Sequence, residues 1–160
     1  MPGDYIGVPS DPYLSKILRK QGDGKVLFAD KILRFTGSGK IKQRILLITD
    51  FAIYLIDPNS DVLKRRIALA AVDKICVSEL NDNFFAIIIP SEYDCLMATT
   101  RKAEVVKVIM EATKSTSEYE LEVLHSNRFE YNAAADMVKK VVFEEIDGSV
   151  RTRFIGKGNQ

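Results

Sequence analysis

Three observations predict a mainly β fold with added α, a seven-stranded barrel with a C-terminal helix across its open end. Between residues 26 and 99, short segments of alternating apolar and polar residues are separated by turn residues. From 101 to 114 the period changes to that of one amphipathic helix. The composition, 46% hydrophobic and 28% charged over 160 residues, is that of an ordinary globular chain with a developed core.

Taken in order, residues 1–10 hold Gly and Pro with little periodicity. Asp11-Pro12 opens a helix, a capping acid followed by proline at the first helical position. Tyr13, Leu14, Ile17 and Leu18 recur at helical spacing until Gly22-Asp-Gly24 stops them. This short helix is expected to rest on the domain's own sheet rather than on a membrane. Strands follow at 26–36, 40–49, 51–56, 62–69, 75–79, 84–89 and 93–99. Val105, Val106, Ile109, Met110 and Thr113 then form one stripe of the helix. A helix so placed covers apolar positions and sheet edges that a small barrel leaves open. Beyond it, 119–124 and 138–146 read as strands, with Phe129 and Tyr131 anchoring the connection between them. The expected organisation is one domain, 1–160. Its core is 26–114, preceded by an extension at 1–25, and followed by a strand extension at 115–146 and a mobile basic tail at 147–160.

Net charge is only +1, but its distribution is uneven. Residues 31–66 hold eight basic and three acidic side chains, whereas 115–148 hold three basic and eight acidic. A basic face on an otherwise acidic body orients a protein toward an anionic surface. The basic residues concentrate in one hairpin, where Gly37-Ser-Gly39 fits a three-residue loop with Gly39 in the left-handed position. That loop sets Thr36 opposite Lys40, Arg34 opposite Lys42 and Ile32 opposite Arg44. Opposed residues share a face, so Arg34, Lys40, Lys42 and Arg44 converge and Lys31 falls on the other side. Like charges held together call for an external anion, and a phosphate is the expected one. In Lys64-Arg-Arg66, alternation puts Lys64 and Arg66 on one face. They extend the basic surface or form structural ion pairs.

Other chemistries find little support. Gly37-Ser-Gly-Lys40 lacks the spacing of a nucleotide-binding loop and is followed by a strand. His125, the sole histidine, has no second metal ligand at a matching interval. Cys76 and Cys95 are expected to be buried, reduced thiols of a cytosolic protein rather than a disulfide or metal ligands. One histidine and dispersed cysteines form no catalytic constellation, and no acidic pair flanks a pocket. No enzyme activity, cofactor or metal is therefore expected. Nucleic acid is disfavoured because the hairpin lacks interleaved exposed aromatics.

Gly3-Asp-Tyr-Ile-Gly7, Val26-Leu-Phe-Ala-Asp30, Arg44-Ile-Leu-Leu-Ile-Thr-Asp50, Ile53-Tyr54 and Leu63-Lys-Arg-Arg-Ile-Ala-Leu69 follow one another in order. Together they resemble the tail homology 1 domain of class I myosins over about residues 3–146. The resemblance implies a pleckstrin-homology-like barrel, extended beyond the usual core, that binds anionic lipids and notably phosphoinositides. Of that fold's lipid-binding pattern, Arg34 matches the basic residue of the first strand and Lys42-Gln-Arg44 the pair of the second. Lys40 is added by hairpin geometry and Lys64 by its neighbouring strand. The implied setting is cytoplasmic and peripheral to the membrane, with cytoskeletal protein partners. A protein-interaction adaptor on the same scaffold is the alternative. No motor or calmodulin-binding segment matches within these residues, so nucleotide hydrolysis and force generation do not transfer. The chain is expected to be either a fragment of a longer tail or a free-standing module.

Overall fold

A computed structural model describes residues 3–117, 120–134 and 136–156. These residues fall into two compact units, and β1, β2 and α2 each run across a boundary between them. The first unit takes residues within Met1–Leu33, Gln43–Ala71 and Ala103–Glu120. The second takes those within Arg34–Lys42, Val72–Lys102 and Leu121–Gln160.

In the first unit, helix α1 (Pro12–Gln21) begins as its sequence dictates. The Asp11 carboxylate accepts the N–H groups of Tyr13 and Leu14 at 2.9 and 3.2 Å, and Gly22 closes the helix. Leu14 and Leu18 are buried against Val8, Val26, Ala29, Ile45, Leu47, Tyr54 and Ile56. The helix therefore lies on the unit's own strands, where burying Leu14 and Leu18 contributes about 1.5–3 kcal/mol each. Strands β1 (Val26–Phe35), β2 (Ile41–Thr49), β3 (Ala52–Ile56) and β4 (Leu63–Ala68) run in the order β4-β3-β2-β1. All five residues of β3 are buried, which explains its unbroken apolar run. The β3–β4 register pairs Leu55 with Arg65 but Ile56 with Leu63, so Lys64 is the extra residue of a bulge. Helix α2 (Lys102–Ser117) buries Val105, Ile109, Ala112 and Thr113. It runs three residues past the expected end at 114.

In the second unit, β5 (Lys74–Val77), β6 (Phe84–Ile88) and β7 (Cys95–Ala98) pair antiparallel, and β8 (Glu122–His125) joins β5 in parallel. The strand order is open in each unit, ending at β4 in the first and at β8 in the second. The seven strands and the helix expected from sequence are all present, as β1–β7 and α2. The strand expected at 119–124 appears as β8, which begins three residues later and ends one residue later; Tyr119 lies outside the described residues. His125 is exposed on β8, and Cys76 and Cys95 are buried.

A separate antiparallel sheet has the order β11-β10-β9, from β9 (Arg128–Ala134), β10 (Met137–Ile146) and β11 (Ser149–Gly156). Two expectations are corrected here. The connection anchored by Phe129 and Tyr131 is itself a strand, which buries Phe129, Tyr131 and Ala133 in strict alternation. The tail expected to be mobile forms β11 over Ser149–Gly156; residues 157–160 lie outside the described ones. The physical cause is Asp147-Gly148, with φ of 50° and 80°. Two consecutive left-handed residues make the tight turn that returns a strand onto its neighbour. Ile146 pairs with Ser149 directly across that turn.

Candidate functional site

The hairpin tip, residues 34–42, belongs to the second unit. Its turn has the expected form. The Thr36 N–H donates to the Lys40 carbonyl at 2.8 Å, and the Gly39 N–H donates to the Thr36 carbonyl at 3.0 Å. Gly39 has φ of +86°, a conformation that a Cβ would strain. The tip's base is anchored by aromatic contacts. Phe35 stacks on Phe154 of β11 with ring centroids 5.7 Å apart, and meets Phe84 at 5.1 Å. A Cβ on Gly37 would stand 3.1 Å from the Ala133 carbonyl oxygen, so the backbones of the turn and β9 approach closely.

Three of the basic residues singled out from sequence lie on this tip. Lys40 and Lys42 are exposed. Arg34 is half-buried, its guanidinium carbon 5.8 Å from the centroid of the Tyr93 ring. A guanidinium at that distance from an aromatic face is attracted by the ring quadrupole. The Nε of Arg34 is shielded and has no hydrogen-bond partner among the described residues.

Arg44 and Lys64 belong to the first unit. Arg44 is half-buried; its Nη1 donates to the Gln43 carbonyl at 3.0 Å, while its shielded Nε has no hydrogen-bond partner among the described residues. It is two residues from Lys42 on β2, so both side chains leave the strand on one side. Nearby, Asp57 is held below the usual carboxylate range. The Asn59 N–H is the main cause, with smaller help from the Ser60 hydroxyl and the Arg44 charge. Lys64 is exposed at the β4 bulge, Arg65 is buried, and Arg66 is committed elsewhere. The Nη2 of Arg66 donates to the Asp23 carboxylate at 3.1 Å, and its Nε donates to the Tyr54 hydroxyl at 3.2 Å. Tyr54 in turn donates to Asp23. Of the two roles open to Arg66 from sequence, the structural ion pair is the one realised.

A family profile described as "Unconventional myosin tail, actin- and lipid-binding" matches residues 2–159. The chain belongs to the myosin tail homology 1 family. It is 35% identical over 129 residues to the myosin IC heavy chain of Acanthamoeba castellanii, covering 70% of this chain and 11% of that one. It is 27% identical over 162 residues to unconventional myosin-Ia of Mus musculus, covering 97% of this chain and 15% of that one. The tail homology 1 chain thus corresponds to a small part of these relatives' length. Among solved structures, it resembles a pleckstrin homology domain in solution with a TM-score of 0.50 and 15% identity, covering 61% of this chain and 93% of that one. It also resembles the hSac2 domain of the human phosphoinositide phosphatase Sac2, with a TM-score of 0.52 and 11% identity, covering 71% and 88%. At these identities the likeness speaks for the fold, which is pleckstrin-homology-like.

Two residues that contact this candidate site were missed in the sequence. Tyr93 is the ring under Arg34, and Phe154 is the ring against Phe35. Asp147-Gly148, followed by the alternation of Val150, Thr152 and Phe154, was the signal for the strand that carries Phe154. No local signal marks Tyr93, because its contact with Arg34 is long-range.

Proposed function

We propose that this tail homology 1 chain is a non-enzymatic module that recruits itself, or a myosin I motor attached to it, to anionic membranes by binding phosphoinositide headgroups. Arg34, Lys40 and Lys42 of the hairpin tip bind the headgroup. Arg44 and Lys64, on the first unit, add attraction toward the anionic surface. The setting is cytoplasmic and peripheral; among the described residues no helix is long and apolar enough to cross a membrane.

The observation that carries this reading is the turn itself. Thr36 pairs with Lys40, and the same register carried two residues further sets Arg34 opposite Lys42. Multiply charged phosphates favour both a planar guanidinium and compact ammonium groups, and the Arg34 Nε has no hydrogen-bond partner among the described residues. Each basic side chain near an anionic leaflet contributes about 1 kcal/mol. Four are enough for reversible recruitment.

The test is co-sedimentation with phosphatidylcholine vesicles, with and without phosphoinositide, at low and raised salt. Lys42→Ala combined with Arg44→Ala lowers binding about 30-fold if each residue contributes as above. Unchanged binding would remove the site assignment. Failure to sediment with any acidic vesicle would leave the adaptor reading, which the "actin-" half of the family description favours. Co-sedimentation with actin filaments then tests it.

A further inference from the structure

Strand β11 ends its sheet with a long, unbroken edge. Its 8 residues pair with β10 without a bulge, and among the described residues no strand pairs with its other side. Edge strands are blunted by proline, a bulge, shortness or charge; of these β11 has only the charge of Arg151 and Arg153. The Ile146–Ser149 pair closes a two-residue turn, and such a closing pair exchanges both backbone hydrogen bonds. In steps of two from it, Arg151, Arg153 and Ile155 bond to β10. Val150, Thr152 and Phe154 direct their N–H and C=O groups away from β10. Those three residues are a template for a further strand.

The side chains define what strand would fit. Val150 packs on the core of the second unit, and the Phe154 ring lies against Phe35 and Phe84. Arg151 and Arg153 leave on the opposite face and are exposed. One carboxylate serves both: Glu144 stands opposite Arg151 in the register and accepts from Arg153 at 2.7 Å. The edge therefore keeps an excess of positive charge. A second copy of β11 is a poor match. An antiparallel register centred on Arg151, Thr152 or Arg153 sets arginine opposite arginine, and like charges directly opposed destabilise a pair.

We propose that the outer edge of β11 takes an extended acidic segment of another protein as an added antiparallel strand. Its backbone bonds to Val150, Thr152 and Phe154, and its carboxylates lie opposite Arg151 and Arg153. Its alternate, apolar side chains continue the face that carries Phe154. The proposal uses none of the residues assigned to the headgroup and does not rest on the lipid reading.

The probe is a fluorescein-labelled nonapeptide in which glutamate alternates with valine, titrated into the whole chain and followed by anisotropy. Binding slows amide exchange at Val150, Thr152 and Phe154, and leaves Arg151 and Arg153, already bonded within the sheet, as they were. Arg151→Gln combined with Arg153→Gln weakens binding about 5-fold. Thr152→Pro, which removes one outward N–H and spares the β10 ladder, abolishes it. Two modified peptides make the same test on the unaltered protein. The valines lie opposite the outward-facing residues, so N-methylation of the valines abolishes binding and N-methylation of the glutamates does not. Equal binding of these two peptides means charge attraction alone and overturns the proposal, as does unchanged exchange at Val150, Thr152 and Phe154 under saturating peptide. Slowed exchange there on phosphatidylserine vesicles, with no effect of peptide, assigns the edge to a membrane and overturns it too.

Discussion

Arg66 reaches Asp23 at 3.1 Å, and this contact decides what the basic strand β4 can offer to a ligand. Of its three consecutive cations, Arg66 is held by Asp23 and Tyr54, Arg65 is buried, and only Lys64 is exposed. Alternation alone groups Lys64 with Arg66. The bulge at Lys64 and Asp23, just beyond the cap of α1, separate their roles.

The two partners of this pair are unequally buried, with 4% of the Asp23 side chain exposed against 30% of Arg66. Removing Arg66 leaves a buried carboxylate, whereas removing Asp23 leaves a guanidinium that can turn to water. Arg66→Ala is therefore expected to lower stability by about 3 kcal/mol and Asp23→Ala by about 2 kcal/mol. Lys64→Ala stays within about 0.5 kcal/mol of the parent. Urea midpoints of the three variants check the order. A reversed order would mean that the Arg66 charge, not that of Asp23, is the one the fold must neutralise.

The same cluster sets an alkaline limit. Burial, reinforced by the Asp23 carboxylate and opposed by Arg66, pushes the Tyr54 hydroxyl from 10.0 up to about 12. Between these values the unfolded chain has released the proton and the folded chain still holds it. Stability is thus fully present below pH 10 and falls as pH rises toward about 12. Tyr131, pushed up to about 12 by burial, adds to the fall, and Cys76, up to about 11, begins it earlier. Tyr54→Phe is expected to make the decline of the urea midpoint above pH 10 shallower. An equally steep decline would mean that Tyr54 titrates alike in both states.

Phe154 is 43% exposed, yet its ring lies against Phe35 at the base of the hairpin tip. Truncating a partly exposed ring costs less than truncating a core one, so Phe154→Ala is expected to cost about 1–2 kcal/mol. Its more specific effect is local. Amide exchange at Thr36 and Gly39, whose N–H groups close the turn, should quicken beyond what the global change explains. Exchange that follows global stability alone would mean that β11 does not hold the tip.

Why Phe154 was missed while the tip was legible follows from the range of each signal. Gly37-Ser-Gly39 and the alternation around it are local, and the backbone obeys them. So do Asp11-Pro12 for α1 and the unbroken apolar run of β3. The bulge at Lys64 leaves no mark in the sequence, because it arises in the register of β4 against β3. Asp23 reads as part of a helix stop until Tyr54 and Arg66 arrive from distant strands. Strand β11 is the opposite case: Asp147-Gly148 is a strong local hairpin signal, outweighed by the expectation that termini are loose. The basic cluster itself was legible as charge, while the partners that orient Arg34 and remove Arg66 belong to tertiary structure.

Tyr93 presents its ring to the Arg34 guanidinium, 5.8 Å from centroid to Cζ, and so limits the directions in which that cation can point. A pre-oriented guanidinium loses less freedom on meeting a phosphate than a loose one does. If Arg34 binds headgroups, Tyr93→Ala should lower affinity for phosphoinositide vesicles about 2–5-fold, while Tyr93→Phe, which keeps the aromatic face, should bind like the parent. The comparison is made by co-sedimentation at one salt concentration, with urea midpoints confirming that both variants are folded. Equal losses in Ala and Phe would point to the hydroxyl rather than the ring, and no loss in either would leave Arg34 oriented without Tyr93.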